Sequence, residues 1–207
     1  MPGTTPSTRT TPRTLTLRTL TGLDDKPARL GASTLLLVDY QNTYTRGVME
    51  LTGWREALDA AARLLARARA EGATVIHVVN DGGAGTPYDI REEIGRIHPA
   101  VAPAEGERVV VKQAPDAFVG TELGELVDAA GRPEVVVAGF MTHMCVAFTA
   151  AGAFLRGNRP TVVADACATR PLTSGTEELT AAQVHRGALA TVGDLYGVVV
   201  ESAAELG

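Results

Sequence analysis

Short apolar segments alternate with longer amphipathic segments along the chain. Runs of Val, Ile, Leu and Thr without polar alternation indicate strands that are covered on both faces, as in a parallel sheet. The predicted strands are Thr34–Val38, Thr74–Val79, Val109–Val111, Val135–Ala138, Thr161–Ala164 and Val198–Val200.

Between these strands, apolar residues recur at the three- and four-residue spacing of an amphipathic helix. Thr142 is positioned to cap the helix that contains Cys145. Ser174 and Glu177 have capping-box spacing ahead of the last helix. The predicted helices are 54–71, 123–130, 142–157 and one that runs through Ala188 and Leu189.

Strands that alternate with helices predict βαβ units, whose right-handed crossovers place helices on both faces of a parallel sheet. The expected fold class is therefore α/β, a three-layer αβα sandwich with a six-stranded parallel sheet. Residues 14–207 are expected to form a single domain. Residues 1–13 are rich in Thr, Pro, Ser and Arg and predict a disordered tail. Leu15, Leu17 and Leu20 suggest a short edge strand or an arm.

Charge and composition exclude several classes of partner. The 207 residues carry a net charge of −5 and no Lys/Arg cluster, so nucleic acid is not expected as a partner. No apolar run approaches the ~20 residues of a membrane helix, and the N-terminus lacks the apolar segment of a secretory signal. The two cysteines, Cys145 and Cys167, do not suggest a disulfide framework, which favours a cytoplasmic location.

Four polar residues follow predicted strands. They are Asp39, Lys112, Cys145 and Asp165. Ligands of open α/β sheets bind beyond the carboxyl ends of the strands, so these side chains are candidates for a common site. A lysine beside a thiol favours the thiolate, and a carboxylate can carry its proton to a leaving group.

Cys145 is the candidate nucleophile, because it lies near the start of a predicted helix. There the macrodipole and the unpaired N–H groups favour a thiolate and can hold an oxyanion. The alternative is a buried, inert cysteine. Asp39 could instead cap its loop, and Lys112 could be a solvated surface residue. For Asp165 a purely structural role, binding backbone N–H groups of its loop, is the preferred interpretation.

The remaining reactive side chains are expected to be structural. His143 is too close in sequence to Cys145 to face it on a helix. His77 lies inside a strand, His185 lies on a late helix, and Cys167 is expected to pack as a small apolar residue. No metal-binding spacing and no nucleotide-binding glycine motif is present, so neither a metal nor another cofactor is expected.

The segments LLLVDYQN, VVVKQAPDAFVGTEL, VVVAGFMTHMCVAFTA and VVADACATR resemble those of the isochorismatase-like cysteine hydrolases. The resemblance extends from about Thr34 to Val200. It implies a catalytic triad of Asp39, Lys112 and Cys145, in which the cysteine attacks a carbonyl carbon and forms a thioester. It also implies an oxyanion hole at the backbone N–H groups of Met141 and Cys145, shaped by a cis peptide between Phe140 and Met141.

The same resemblance bears on the substrate. Family members that cleave nicotinamide carry a metal-binding D-x-H motif, whereas the corresponding segment here is VVNDGGAGTPYDI. Members that cleave the vinyl ether of isochorismate need no thiol, so Cys145 favours hydrolysis of a small amide or lactam. Vinyl-ether hydrolysis and a catalytically silent binding domain remain alternatives. The family also suggests a homodimer.

The loops at the predicted strand ends supply candidate substrate contacts. These are Gln41, Tyr44, Tyr88, Phe118 and Thr142. Three loop carboxylates could attract a cationic substrate, since no second Lys or Arg is expected at a strand end. These carboxylates belong to Asp81, Asp89 and Asp116.

Overall fold

The computed structural model describes residues 15–207, so the tail predicted at residues 1–13 lies outside the described part. A parallel sheet forms the centre, with the strand order β3-β2-β1-β4-β5-β8. Its strands are β1 (Thr34–Val38), β2 (Thr74–Asn80), β3 (Arg108–Lys112), β4 (Glu134–Gly139), β5 (Arg159–Val163) and β8 (Val198–Val200). The six-stranded parallel sheet predicted from the sequence is confirmed.

Helices cover both faces of this sheet. They are α1 (Leu17–Leu20), α2 (Trp54–Glu71), α3 (Leu123–Ala130), α4 (Ala147–Leu155) and α5 (Ala181–Thr191). Every residue of β1 is buried, which explains its uninterrupted apolar sequence. Alternate residues of β1 face two separate core layers. Leu35 and Leu37 pack in the layer that contains α2, whereas Leu36 and Val38 pack in the layer that contains α3.

Two local predictions were wrong. The segment that contains Leu17 and Leu20 is a short helix, capped by the hydroxyl of Thr16. Ser174 and Glu177 pair across a hairpin of β6 (Leu172–Ser174) and β7 (Glu177–Leu179) and do not cap a helix.

The capping box lies instead at Thr180 and Gln183 and begins α5 at Ala181. Its Thr180 hydroxyl accepts a hydrogen bond from the Gln183 backbone, and the Gln183 side chain accepts one from the Thr180 backbone.

The strand order reverses between β1 and β4, which lie side by side with Val38 opposite Gly139. Loops that leave such a pair diverge to opposite faces and open a crevice at the carboxyl edge. Asp39 follows β1 and Cys145 follows β4, so both flank this point. None of the helices described between residues 15 and 207 is long and apolar enough to cross a membrane.

Candidate active site

Asp39 directly follows β1, in a backbone conformation that is rare outside glycine. Its φ angle is +54°, and its backbone N–H donates to Val78 O at 2.9 Å. Aspartate tolerates the left-handed region better than most residues, but such a conformation still persists only where its surroundings enforce it. The Asp39 side chain is fully buried, and its carboxylate points toward the end of β3.

Lys112 brings a buried positive charge to this carboxylate. It is the last residue of β3, and its side chain is fully buried. Lys112 Nζ lies 2.8 Å from Asp39 Oδ2 and donates to Cys145 Sγ at 3.3 Å. The ammonium therefore joins residues from three different strand ends. The alternative of a solvated surface lysine is excluded by this burial.

Cys145 lies on a single π-helical turn, Thr142–Val146, that leads directly into α4. Such turns are rare and often mark functional sites. A cis peptide bond joins Phe140 to Met141 just before the turn, at the position implied by the family resemblance. Gly139 precedes it with a φ angle of +156°, and a Cβ atom there would lie 2.1 Å from Val38 O. Only glycine fits this approach of β4 to β1.

The pKa of Cys145 is higher than expected from its position near a helix start. Burial raises the pKa of Cys145 to about 12, with a further rise from the Asp39 carboxylate and an opposing effect of Lys112. The expected low-pKa thiolate is therefore wrong, because desolvation by burial outweighs the opposing effect of Lys112. Burial also raises the pKa of Asp39, which makes its carboxylate a better proton acceptor.

The Lys112 ammonium remains charged in this enclosure. Burial disfavours the charged form, but the Asp39 carboxylate and Cys145 raise the pKa of Lys112 above its ordinary value. The resting site is thus a thiol beside an ion pair. In this arrangement the carboxylate that can accept the thiol proton is adjacent to the sulfur.

The isochorismatase domain family matches residues 33–199 of the chain. The chain belongs to the isochorismatase family. The crystal structure of an isochorismatase from Pseudomonas putida superposes with a TM-score of 0.91 and 37% identity, covering 94% of this chain and 100% of that one. The fold class and the assignment as an isochorismatase-family hydrolase are thereby confirmed.

Three relatives carry informative names. Streptothricin hydrolase of Streptomyces noursei is 37% identical over 82% of this chain and 63% of its own length. Maleamate amidohydrolase of Pseudomonas putida is 35% identical over 69% of this chain and 72% of its own length. A secreted isochorismatase effector of Verticillium dahliae is 31% identical over 89% of this chain and 96% of its own length.

A potential oxyanion site lies beside the thiol of this isochorismatase-family protein. None of the hydrogen bonds between described residues uses the backbone N–H of Met141, whereas its carbonyl accepts from Met144 and Val146. An unused N–H next to a nucleophile is a suitable donor for a negatively charged oxygen. The N–H of Cys145, in the first turn of the same helical segment, is the second donor implied by the family resemblance.

Three aromatic side chains pack together near the thiol. The Tyr44 ring packs edge-to-face against Tyr88 and Phe140, each with a centroid distance of 5.8 Å. Burial raises the pKa of Tyr44, and the nearby charges of Asp39 and Cys145 add to the rise. The predicted contacts Tyr44 and Tyr88 therefore lie in the electrostatic neighbourhood of the three polar side chains.

Three other predicted substrate contacts are engaged elsewhere. Gln41 is fully buried, and its amide donates to Asn80 O at 2.9 Å and Gly95 O at 2.6 Å, so it fixes two loops rather than facing a substrate. Phe118 lies under the guanidinium of Arg156.

Thr142 neither caps a helix nor has a free hydroxyl. Its Oγ1 lies 2.9 Å from His185 Nδ1, which ties the turn to α5. The prediction of Thr142 as an N-cap was wrong, because the π turn already includes this residue. His185 thereby has a structural partner.

The other reactive side chains also have structural partners. His143 Nδ1 lies 2.5 Å from Thr169 Oγ1, and His77 Nε2 lies 2.8 Å from a Glu107 carboxylate oxygen. Cys167 is buried and donates to Val163 O at 3.3 Å. Asp165 is the exception: it is exposed, and its backbone N–H, not its carboxylate, makes the hydrogen bond, to Glu201 O. Within residues 15–207, no cluster of three His, Cys, Asp or Glu side chains is suited to a metal.

The loop carboxylates do not provide the free negative charge that was expected to attract a cationic substrate. Asp89 and Asp81 do not present free negative charge, because Arg91 lies 2.5 Å from the first and 3.5 Å from the second. Asp116 packs against α4 at Gly152.

The sequence reasoning also overlooked a cation. Arg170 ends the VVADACATR segment and lies close enough to Tyr88 and His143 to influence the pKa of both. Arg170 lies beyond the end of β5, whereas the expectation concerned only residues directly at strand ends. The only sequence signal was its position in a segment already assigned to the family.

Proposed function

We propose that this protein is a cysteine amidohydrolase that cleaves a non-peptide C–N bond of a small amide through a thioester. The observation that carries this proposal is the position of Lys112 Nζ, 2.8 Å from Asp39 Oδ2 and 3.3 Å from Cys145 Sγ. The Asp39 carboxylate is also within hydrogen-bonding reach of Cys145 Sγ, so the thiol proton can pass directly to it while Lys112 holds both groups. Two relatives that are named as a streptothricin hydrolase and a maleamate amidohydrolase support the same class.

In the proposed acylation step, Cys145 Sγ attacks the amide carbonyl carbon while its proton passes to the Asp39 carboxylate. The carbonyl oxygen becomes an oxyanion, which the backbone N–H groups of Met141 and Cys145 stabilise. Asp39 then returns the proton to the amide nitrogen, the C–N bond breaks, and the amine leaves. Lys112 remains charged throughout and holds both the sulfur and the carboxylate in place.

In the proposed deacylation step, Asp39 accepts a proton from water, whose oxygen attacks the thioester carbon. The C–S bond breaks, the acid is released, and the proton returns to Cys145 Sγ. Asp39 acts as base and acid in turn, which requires an ionised carboxylate in the resting site. No separate general base is needed.

Two kinds of small amide are candidate substrates. A lactam such as that of streptothricin is one candidate, supported by the 37% identity with streptothricin hydrolase. An open-chain amide is the other, supported by the maleamate amidohydrolase relative. We propose Tyr44 and Tyr88 as substrate contacts, since both rings lie near the thiol.

The test is a screen of small amides with wild type, Cys145→Ala and the matched control Cys167→Ala. We expect turnover and a trapped acyl adduct in wild type and Cys167→Ala, and neither in Cys145→Ala. Retention of amide hydrolysis in Cys145→Ala would exclude the cysteine mechanism, and cleavage of a vinyl ether by Cys145→Ala, with no amide turnover in wild type, would indicate the thiol-independent alternative. Absence of turnover and of any adduct in all three proteins would indicate a silent binding domain.

We also propose a homodimer in a reducing compartment such as the cytoplasm. Phe148 and Leu155 of α4 are 50% and 78% exposed beside an apolar groove between α4 and α5, which a second copy could cover. Both cysteines are free thiols. Light scattering should give the mass of a dimer for wild type and of a monomer for Leu155→Glu. Cell fractionation should place the protein with cytoplasmic markers. A monomeric wild type or a secreted protein would contradict these proposals.

A further inference from the structure

Gln41 holds backbone groups of two other segments with a single, fully buried side chain. Its amide nitrogen donates to Asn80 O at 2.9 Å and to Gly95 O at 2.6 Å, and its Oε1 accepts from Asn80 N at 3.0 Å. Both donors and the carbonyl oxygen of the amide are thus engaged. A buried side chain in this state does not reach a substrate, so any effect on the reaction must pass through the segments that it holds.

Asn80 lies between the two strands that supply the ion pair. It ends β2, the strand between β1 and β3, and it pairs in register with Lys112. The next residue, Asp81, donates its backbone N–H to Lys112 O at 3.0 Å. Neighbouring strands lie about 4.8 Å apart, so the backbones of β1 and β3 are about 10 Å apart. The Asp39 and Lys112 side chains therefore meet past the end of β2, and the position of this end affects the distance between them.

On the side of β1, Gln41 is tied to the residue that supplies the carboxylate. The Gln41 backbone N–H donates to Asp39 O at 2.8 Å, across the turn that Asp39 makes with its positive φ angle. The Asp39 backbone N–H donates to Val78 O at 2.9 Å, which continues the ladder between β1 and β2 by one step. Two residues further on, the Gln41 side chain binds the N–H and the carbonyl of Asn80 and takes the place of a further ladder step.

We propose that Gln41 is a positioning residue for the Asp39–Lys112 pair, because its amide fixes the end of β2 against the turn after β1. The inference rests on the amidohydrolase function proposed above, in which Asp39 accepts and returns the proton of Cys145. A displacement of about 1 Å in such a group can reduce turnover about 100-fold. Lys112 donates to Cys145 Sγ at 3.3 Å, so a shift of the pair also reaches the nucleophile.

The second segment that Gln41 holds suggests a competing role. Gly95 belongs to the connection between β2 and β3 that also carries Tyr88, a proposed substrate contact. If Gln41 acted only through this connection, its loss would alter substrate binding and not proton transfer. Asn42 offers the comparison, because its Nδ2 donates to Glu93 O at 2.8 Å in the same connection. None of the hydrogen bonds of Asn42 between described residues reaches β2.

The first experiment compares wild type, Gln41→Met and the matched control Asn42→Leu on the small amide that wild type cleaves fastest in the screen described above. Gln41→Met should lower kcat about 10- to 100-fold and change KM less than about threefold, and Asn42→Leu should leave kcat within about threefold of wild type. Thermal melts establish that each variant is folded. Gln41→Asn keeps an amide on a shorter stem and should give a smaller fall in kcat, so it tests the role even if Gln41→Met does not fold. A raised KM with unchanged kcat in Gln41→Met, or an equal fall in kcat in Asn42→Leu, would overturn the positioning role.

Alkylation of Cys145 by iodoacetamide, in the Cys167→Ala background, tests the same role without a substrate. The Asp39 carboxylate raises the pKa of Cys145 more than Lys112 lowers it, so a pair released from its fixed position should permit faster alkylation. Gln41→Met should increase the rate about threefold, and it should have no effect once Asp39→Asn and Lys112→Met have removed the pair. An equal increase in both backgrounds would indicate a general loosening and overturn the inference. No turnover of any amide, with the alkylation result intact, would overturn the proposed function and not the positioning of the pair.

Discussion

Lys112 Nζ lies 2.8 Å from Asp39 Oδ2, and both side chains are fully buried. Removing two charges from water is costly, and their attraction offsets that cost only while both are present. The pair is therefore an unfavourable way to stabilise a core but a suitable way to keep an ionised carboxylate beside a thiol. Substitutions at Asp39 and Lys112 can separate the effect of this pair on stability from its role in catalysis.

Lys112→Met should destabilise the protein by about 3–5 kcal/mol, because Asp39 is left as an unpaired buried acid. The double variant Asp39→Asn with Lys112→Met should recover much of this stability, since no unpaired charge remains. Asparagine also tolerates the positive φ angle of position 39. Denaturant unfolding of the wild type, both single variants and the double variant measures the coupling. Additive effects would contradict a coupled pair, and activity in the double variant would contradict its proposed chemistry.

The reactivity of Cys145 toward iodoacetamide should be low at pH 7 and rise steadily up to pH 10, because burial raises its pKa to about 12. The Cys167→Ala background removes the second thiol, whose pKa burial also raises. Asp39→Asn should speed alkylation, since the carboxylate contributes to the high pKa, and Lys112→Met should slow it. A wild-type midpoint below pH 8, or the opposite order of the two variants, would contradict this assignment.

Some of this site could be predicted from the sequence for a simple physical reason. The carboxyl ends of parallel strands meet at one edge, so the residues after three apolar runs, Asp39, Lys112 and Cys145, could be expected together. The substrate contacts could not be ranked, because the side-chain hydrogen bonds of Gln41 and Thr142 depend on loops that come from elsewhere in the chain.

Other features depend on three-dimensional context that no local pattern contains. The pKa of Cys145 depends on how deeply the turn is buried, which sequence spacing does not give. The hairpin Leu172–Leu179 is too short and too polar to show strand alternation.

A separate cluster at the opposite end of the sheet should control acid stability. Glu107 accepts from Arg69 Nε at 2.8 Å, lies 2.8 Å from His77 Nε2 and accepts from Ala104 N at 2.8 Å. The Arg69 hydrogen bonds lead in holding the pKa of Glu107 at about 2, below its ordinary 4.5. A depressed carboxyl pKa stabilises the folded state above the unfolded value, and this stabilisation is lost as the pH falls from about 4.5 toward 2.

Glu107→Gln should therefore lower the free energy of unfolding by about 1–2 kcal/mol at pH 7, a value reduced for the partial exposure of Arg69. The difference from wild type should shrink as the pH falls through that range. Glu105→Gln, at an exposed neighbouring position, is the control and should change nothing. Urea unfolding at pH 7, 4 and 3 provides the measurement. A difference that stays constant with pH would show that the effect is not ionic.

Gly139→Ala should disrupt the junction that holds Asp39 against the cysteine turn. A Cβ atom at this position would lie 2.1 Å from Val38 O, the same oxygen that accepts the backbone N–H of Phe140 at 2.9 Å. The φ angle of +156° adds strain for any residue with a side chain.

For Gly139→Ala we expect a loss of about 2–4 kcal/mol in the free energy of unfolding from clash and strain, together with a large fall in kcat, because β1 and β4 must separate. Gly193→Ala is the matched control: it lies in the helical turn Val192–Tyr196, the added Cβ would meet only a Val199 side-chain carbon at 3.6 Å, an ordinary contact, and neither stability nor turnover should fall. Thermal unfolding and turnover of a cleaved amide report the two effects separately. Equal stability of Gly139→Ala and wild type would mean that the strands tolerate the methyl group, and the close approach of β4 to β1 would then not be what positions the site.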